Sequence, residues 1–256
     1  MPPTSPSPTA QPGHSVRFDW GRVGGLAVAE GADVAVVVDV LSFTTALDVA
    51  VGRGSVVVPY PAGRPDAAEV AAQTGAVLAG HRSFAGPDEP TLSPARLLEV
   101  DLPARLVLPS PNGSAVAHAL ASVATTVVGA SLRNAAAVAA WIAREHDEDD
   151  TVVAVVAAGE RWPDGSLRPA VEDLWGAGAV LAALEDFEWP GLSPEAAVAA
   201  DAYRLVRERE EAHLRASASG EELVAAGWEA DVEVAAQVGA STVVPVLSDR
   251  GFVAAP

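Results

Sequence analysis

The sequence predicts a layered α/β fold with a largely parallel sheet. Short valine-rich runs without polar alternation recur along the chain, which is the pattern of strands covered on both faces. Alanine-rich stretches with helical spacing lie between these runs, and such alternation is typical of strand–helix–strand units. Half of the 256 residues are apolar, which is enough to build a core of that size.

Seven strands and seven helices follow from these runs. The predicted strands are 33–39, 55–59, 76–79, 105–108, 125–129, 151–157 and 242–247. The predicted helices are 44–52, 66–74, 114–121, 134–145, 171–183, 194–211 and 220–226. Residues 82–101 contain three prolines and little periodicity, which predicts a long surface loop.

The ends of the chain and its charge limit the classes of function. The proline-rich residues 1–12 predict a disordered leader, and residues 13–256 form a single predicted domain. A net charge of −18 disfavours nucleic-acid binding, and no apolar stretch of about 18 residues predicts a membrane span. We therefore expect a cytoplasmic protein. The sequence leaves its oligomeric state open, with a homodimer among the options.

The absence of two residue types excludes several chemistries. All 16 basic residues are arginine, so a lysine Schiff base and a Walker-type phosphate loop are excluded. The chain has no cysteine, which excludes disulfides and thiol nucleophiles. Any anion must therefore be held by arginine, by backbone N–H groups or by a metal ion.

The first candidate site follows the apolar run that ends at residue 38. In open α/β sheets, ligands bind beyond the carboxyl ends of the strands, and Asp39 stands at such an end. A carboxylate after an apolar run is costly to bury without a partner, which favours a functional role. Ser42, Thr44 and Thr45 come next, and they either bind an anion at the helix start or only cap that helix.

Two later strand ends carry similar groups. Asn112, Gly113 and Ser114 follow the strand 105–108, where they form either a phosphate-binding nest or an ordinary turn. Arg133 and Asn134 follow the strand 125–129, and the guanidinium is suited to clamp an anion.

Acidic and imidazole groups complete the candidate set. Glu172 and Asp173 open a helix, where they either stabilise its N-terminus or, with Asp39, hold Mg²⁺. His81 is the one histidine at a predicted strand end, so it is a candidate acid or base.

In their order, these segments resemble the 2-phosphosulfolactate phosphatase family, the ComB-like proteins. The matching segments are VVVDVLSFTTALDVA (36–50), LSP (92–94), PSPNGSAVAHAL (109–120), GASLRNAAAVA (129–139), AVEDLWGAGAV (170–180), SGEELVAAGWEADVEVAA (219–236) and VVP (243–245). The resemblance implies a three-layer α/β/α protein and a Mg²⁺-dependent phosphatase that converts 2-phosphosulfolactate to 3-sulfolactate. It also points to Asp39, Thr44, Thr45, Asn112, Gly113, Asn134, Glu172 and Asp173 as site residues.

From these residues we predict a phosphatase for a small anionic phosphate ester. In this hypothesis Asp39 with Glu172 or Asp173 holds Mg²⁺, Ser114 and its neighbours bind phosphate, and Arg133 stabilises developing charge. Asp39 is alternatively a nucleophile. The chain departs from the family pattern at Ser42, His81 and Glu221, so a non-catalytic anion-binding protein and a different enzyme using His81 are the rival hypotheses.

Overall fold

The computed structural model describes residues 7–256 and contains two sheets. The strands are β1 (Val16–Trp20), β2 (Val34–Val38), β3 (Val56–Pro61), β4 (Val77–Leu78), β5 (Arg105–Ser110), β6 (Thr126–Ala130), β7 (Val153–Ala157), β8 (Glu160–Arg161), β9 (Leu167–Arg168), β10 (Pro245–Ser248) and β11 (Gly251–Ala254). The large sheet has nine strands in the order β1-β7-β2-β6-β10-β11-β3-β5-β4, and β8 pairs with β9 separately.

Eleven α-helices connect and cover these strands within the described residues. They are α1 (Gly21–Ala29), α2 (Phe43–Gly52), α3 (Ala67–Thr74), α4 (Pro94–Glu99), α5 (Gly113–Leu120), α6 (Ala135–Glu145), α7 (Val171–Asp186), α8 (Pro194–Val206), α9 (Glu210–Ala216), α10 (Ala218–Ala225) and α11 (Glu229–Ala235). None of the helices in this part of the chain is long and apolar enough to cross a membrane.

The sheet consists of two parallel groups joined by a hairpin. The strands β1, β7, β2 and β6 pair in parallel, and so do β3, β5 and β4. The antiparallel hairpin β10–β11 lies between them, and it meets β6 and β3 through antiparallel pairs. The sheet is therefore largely parallel but mixed in direction.

The burial of β2 shows why the fold has three layers. Val34, Val36 and Val38 pack with residues of α6, α7 and α8 on one face. Ala35 and Val37 point the other way and pack with residues of α1, α2 and α5. Because successive side chains of a strand alternate between faces, a continuous apolar run needs helices on both sides. The predicted three-layer α/β/α class is confirmed.

All seven predicted strands are present with shifted ends, but several elements were missed. The predicted loop 82–101 contains α4, whose start is capped by Ser93, with Arg96 N at 3.1 Å from Ser93 Oγ. The predicted helix 194–211 is two helices, α8 and α9, because the backbone at Glu208 is left-handed, with φ of 70°. Neither glycine nor proline marks that break, so the sequence pattern did not reveal it.

The N-terminal segment also differs from its prediction. The first half of the predicted leader, residues 1–6, lies outside the described residues. In the second half, Gln11 is buried against β1, where its Nε2 donates to Phe18 O at 2.8 Å and its Oε1 accepts from Phe18 N at 3.1 Å. A side chain that pairs both main-chain groups of an edge strand acts as a short extension of the sheet.

Candidate active site

The site forms where the loop after β2 meets the start of α5. Asp39 Oδ1 accepts a hydrogen bond from Phe43 N at 3.1 Å, and its Oδ2 accepts one from Gly113 N at 2.7 Å. A Cβ atom on Gly113 would lie 2.6 Å from Asp39 Oδ2, so this approach requires glycine. The backbone therefore fixes the Asp39 carboxylate at the carboxyl ends of β2 and β5.

A second carboxylate, on α7, holds the surrounding loops. Asp173 Oδ1 accepts from Val40 N at 2.7 Å, and its Oδ2 accepts from Gly159 N at 2.8 Å. These bonds tie the ends of β2 and β7 together. Burial, followed by the nearby charges of Asp39 and Glu172, raises the pKa of Asp173 well above its ordinary value.

Two glutamates add further negative charge. Glu172 is 2% exposed, and within residues 7–256 its carboxylate accepts no hydrogen bond. Glu160 begins β8 and accepts from Asn112 Nδ2 at 2.8 Å. Burial, followed by the charge of Asp39, raises the pKa of Glu160 to about 7. Burial also raises the pKa of Asp39, and the charge of Glu172 adds to that effect.

This carboxylate group, Asp39, Glu160, Glu172 and Asp173, has the chemistry of a hard-cation site. No set of three or more histidine or acidic side chains in residues 7–256 is already arranged as a metal site. Mg²⁺ does not need one, because it is commonly bound by one or two carboxylates together with water and substrate oxygens. Mutual repulsion among buried carboxylates is relieved by a bound cation. The donor set therefore fits Mg²⁺.

A cavity of about 680 Å³ lies beside the carboxylate group. Asp39, Asn112 and Glu160 line it at the strand ends, whereas Glu172 and Asp173 do not line it. Residues of α10 and of the loop after β4 form other parts of its wall. The cavity is large enough for a small phosphate ester.

Arg82 is the one arginine that lines this cavity in the described part of the chain. Its Nη2 donates to Ser42 Oγ at 2.6 Å and to Leu92 O at 3.1 Å, and it lies 3.3 Å from Asp231 Oδ2. Asp231, on α11, is itself fixed by the Ser93 hydroxyl and by the backbone N–H of Ala95 on α4. Arg82 is thus a fixed positive charge next to a strongly acidic site.

Comparison with known proteins agrees with this geometry. The family model described as "2-phosphosulpholactate phosphatase" matches residues 26–250. A protein of Thermus thermophilus named "Probable 2-phosphosulfolactate phosphatase" is 36% identical over 223 residues, covering 85% of this chain and 89% of that protein. The chain belongs to the 2-phosphosulfolactate phosphatase family. A similarly named protein of Deinococcus radiodurans is 36% identical over 146 residues, covering 56% of both chains.

Membership of the 2-phosphosulfolactate phosphatase family confirms the resemblance found in the sequence motifs. It makes the chain a phosphoric monoester hydrolase. The conserved chemistry of that class, transfer of a phosphoryl group to water, matches a site of carboxylates beside one arginine.

Four further residues that the sequence analysis named as site candidates lie at the cavity or contact Asp39. Ser42, His81 and Asn112 line the cavity, and Gly113 binds Asp39. His81 is exposed, and its Nδ1 accepts from the backbone N–H of Ser83 at 3.2 Å. No carboxylate in the described residues orients the His81 ring, so nothing in the geometry favours it as an acid or base.

Arg133 is not brought to the cavity. Its Nε donates to Asp48 Oδ2 at 2.8 Å, and its Nη1 donates to Gln237 Oε1 at 2.5 Å. Asp48 is buried on α2 and needs a partner, and Arg133 is the cation that reaches it. The strand-end position was predicted, but the side chain points to a structural ion pair, and Arg82 supplies the positive charge of the site instead.

Thr44, Thr45, Ser114 and Asn134 also bind the protein rather than line the cavity. The three hydroxyls donate to main-chain oxygens of the preceding turns at 2.7 or 2.8 Å. Asn134 Nδ2 donates to the main chain at 3.0 Å, and its Oδ1 accepts from the main chain at 2.8 Å. These side chains shape the loops that present Asp39 and Asn112. None of them caps a helix, because α2, α5 and α6 begin without a side-chain cap hydrogen bond, so the structure shows neither anion binding nor the capping alternative at these positions.

Two site residues were missed among the sequence candidates. Glu160 comes after β7, just as Asp39 comes after β2. The rule that ligands bind beyond the carboxyl ends of strands would therefore have identified Glu160 as a candidate. Asp231 lies 138 residues from its partner Ser93, and no local pattern links them.

Proposed function

We propose that this enzyme hydrolyses a small anionic phosphate monoester of the 2-phosphosulfolactate type with Mg²⁺, giving 3-sulfolactate and phosphate. The observation that carries the proposal is that Asp39 and Glu160 line one cavity together with Arg82. Glu172 lies close enough to Asp39 for its charge to raise the pKa of that carboxyl. The names of the relatives support the substrate class. The departures at Ser42 and Glu221 leave Arg82 as the arginine of the cavity wall in the described residues.

Asp39 and Glu172 are the residues that would hold Mg²⁺. When bound, the ion supplies a Lewis acid that polarises the phosphoryl oxygens and lowers the pKa of a water molecule. Each carboxylate oxygen has two lone pairs, so Asp39 keeps acceptor capacity after binding Phe43 N and Gly113 N. Asp173 does not line the cavity, and its two oxygens accept from Val40 N and Gly159 N, so we assign it to holding the loops.

The remaining side chains orient the ester and move a proton. Arg82 attracts the anionic ester into a site that is otherwise acidic. Asn112 holds Glu160 Oε2, which leaves Oε1 to carry a proton. With a pKa of about 7, the Glu160 carboxyl can give that proton to the ester oxygen as the P–O bond breaks. The oxygen of a water molecule bonds to phosphorus as the ester P–O bond breaks, and the alcohol leaves with the proton from Glu160. The proton that water loses restores the Glu160 carboxyl.

Phosphate release from 2-phosphosulfolactate tests the proposal. We expect turnover with Mg²⁺, loss of turnover with EDTA, and recovery when Mg²⁺ is restored. Asp39→Asn should abolish turnover and weaken Mn²⁺ binding measured by electron paramagnetic resonance. Asp150→Asn, a change at an exposed carboxylate, is the matched control.

Two results would contradict the assignment. Full activity of Asp39→Asn would remove Asp39 from the chemistry, and activity that persists without divalent cations would remove the metal. If Asp39 is instead a nucleophile, hydroxylamine should trap an acyl group at this residue during turnover, while Mn²⁺ binding to Asp39→Asn should stay unchanged.

A further inference from the structure

Two hydrogen-bond donors at the cavity have no partner in the described part of the protein. They are the Ser219 hydroxyl and the Arg82 Nε, and both atoms are buried. Ser219 is 5% exposed, and both residues line the cavity. Native proteins rarely leave buried donors unpaired, because each such group loses its hydration without compensation.

The position of Ser219 shows that its hydroxyl is not needed for the fold. Ser217 is the N-cap of α10, where its Oγ accepts from Gly220 N at 3.1 Å and donates to Leu214 O at 2.8 Å. Ser219 is two residues further on, in the first turn. Leu223, four residues later, lines the same cavity, as expected for one face of a helix.

Arg82 is fixed in a way that leaves Nε for a ligand. Its Nη2 carries the contacts to Ser42, Leu92 and Asp231, so the guanidinium cannot swing away. The Nε–H that remains can donate one charge-assisted hydrogen bond to an oxyanion. One arginine and one hydroxyl, both donors, therefore await an acceptor that the protein does not supply.

We propose that Arg82 and Ser219 bind the acid group of the substrate that is not transferred, a carboxylate or a sulfonate. This inference rests on the proposed function. The phosphoryl group belongs near Asp39, where Mg²⁺ is expected, whereas Ser219 approaches the cavity from α10, a different part of its wall. Ser219 and Arg82 thereby orient the ester so that its phosphorus faces the carboxylate group.

Four phosphate esters and one substitution test this assignment. The esters are 2-phosphosulfolactate, 2-phospholactate without the sulfonate, the phosphate of 2-hydroxypropane-1-sulfonate without the carboxylate, and isopropyl phosphate without either group. Steady-state kinetics are compared for the wild type, Ser219→Ala and Ser217→Ala at saturating Mg²⁺. Melting temperatures of the three proteins are measured alongside.

We expect Ser219→Ala to lower kcat/KM by about ten- to a hundredfold on 2-phosphosulfolactate, mainly through KM, because a hydrogen bond to a charged group is lost. The effect should be absent on isopropyl phosphate. Two of the esters lack one acid group each. If the effect of Ser219→Ala is also absent on one of them, the acid group missing from that ester is the one that Ser219 binds. Ser219→Ala should keep the wild-type melting temperature or raise it, whereas Ser217→Ala should lower it by removing a helix cap.

An equal loss on all four esters, or no loss on any, would overturn the assignment while leaving the phosphatase activity in place. A drop in melting temperature as large as that of Ser217→Ala would show that Ser219 supports the fold instead. Failure of the wild type to release phosphate from every ester would overturn the proposed function, and the inference with it.

Discussion

Replacing Glu160 by glutamine should change the pH dependence of stability. The pKa of Glu160 in the folded protein is about 7, against an ordinary value of 4.5, mainly because of burial. A raised carboxyl pKa means that the folded state holds the proton more tightly than the unfolded state. Stability is therefore lost as the pH rises from about 4.5 through about 7, and the loss is complete above that range.

The size of the effect follows from the difference between the two pKa values. At about 1.4 kcal/mol for each tenfold change in proton affinity, the difference between 4.5 and about 7 gives at most about 3.5 kcal/mol. Glu160 is partly exposed at the cavity, and solvent screening reduces the expected effect to about 1–3 kcal/mol. The glutamine oxygen can still accept from Asn112 Nδ2, so that hydrogen bond is retained in the variant.

Urea unfolding with EDTA present, at about pH 4 and about pH 8, measures this difference. Glu160→Gln and the wild type should have nearly equal free energies of unfolding at the lower pH. The variant should be the more stable by about 1–3 kcal/mol at the higher pH. Glu148→Gln, at an exposed position of the acidic run before β7, is the control. A difference that stays constant or shrinks as the pH rises would refute the argument from burial.

Three further predictions concern Gly113, the Arg133–Asp48 ion pair and Gln11. Gly113→Ala should abolish phosphate release in an enzyme assay, because its Cβ would lie 2.6 Å from Asp39 Oδ2. Arg133→Ala should lower the free energy of unfolding, measured in urea, by about 3–5 kcal/mol because it leaves buried Asp48 unpaired. The double variant Asp48→Ala/Arg133→Ala should lose less free energy of unfolding than the sum of the two single variants. Gln11→Ala should cost about 1–3 kcal/mol by the same measurement, whereas an unchanged value would show that the N-terminal segment adds nothing.

The local pattern of the chain was sufficient to predict most of the sheet. The runs that became β2 and β7 are apolar at every position, which is the pattern of strands covered on both faces. β1 was missed because its burial alternates at the sheet edge and it adjoins the proline-rich N-terminus. The hairpin β10–β11 lies between the two groups of parallel strands. No local sequence pattern predicts between which strands such a hairpin pairs.

The candidate site was predicted in position but less well in its side-chain roles. Asp39 and Asn112 follow strands, and the strand-end rule placed both near the ligand cavity. The same rule placed Arg133 there, yet its guanidinium turns to Asp48. The rule locates a residue at an edge of the sheet, and it does not say which buried partner competes for its side chain.

The sequence by itself determined the layered fold, the family and the strand ends at which Asp39 and Asn112 stand. The fold follows from the spacing of apolar residues over two to four positions, and the family follows from motifs of about a dozen residues. Both are local properties of the chain. The tertiary structure alone decided which polar groups meet. Asp39 binds Gly113 across 74 positions and Arg133 binds Asp48 across 85, whereas Ser219 at the cavity finds no partner among residues 7–256. The physical reason is that a buried charge takes whichever complementary group the packing of distant elements brings within hydrogen-bond distance, and local periodicity carries no information about that pairing.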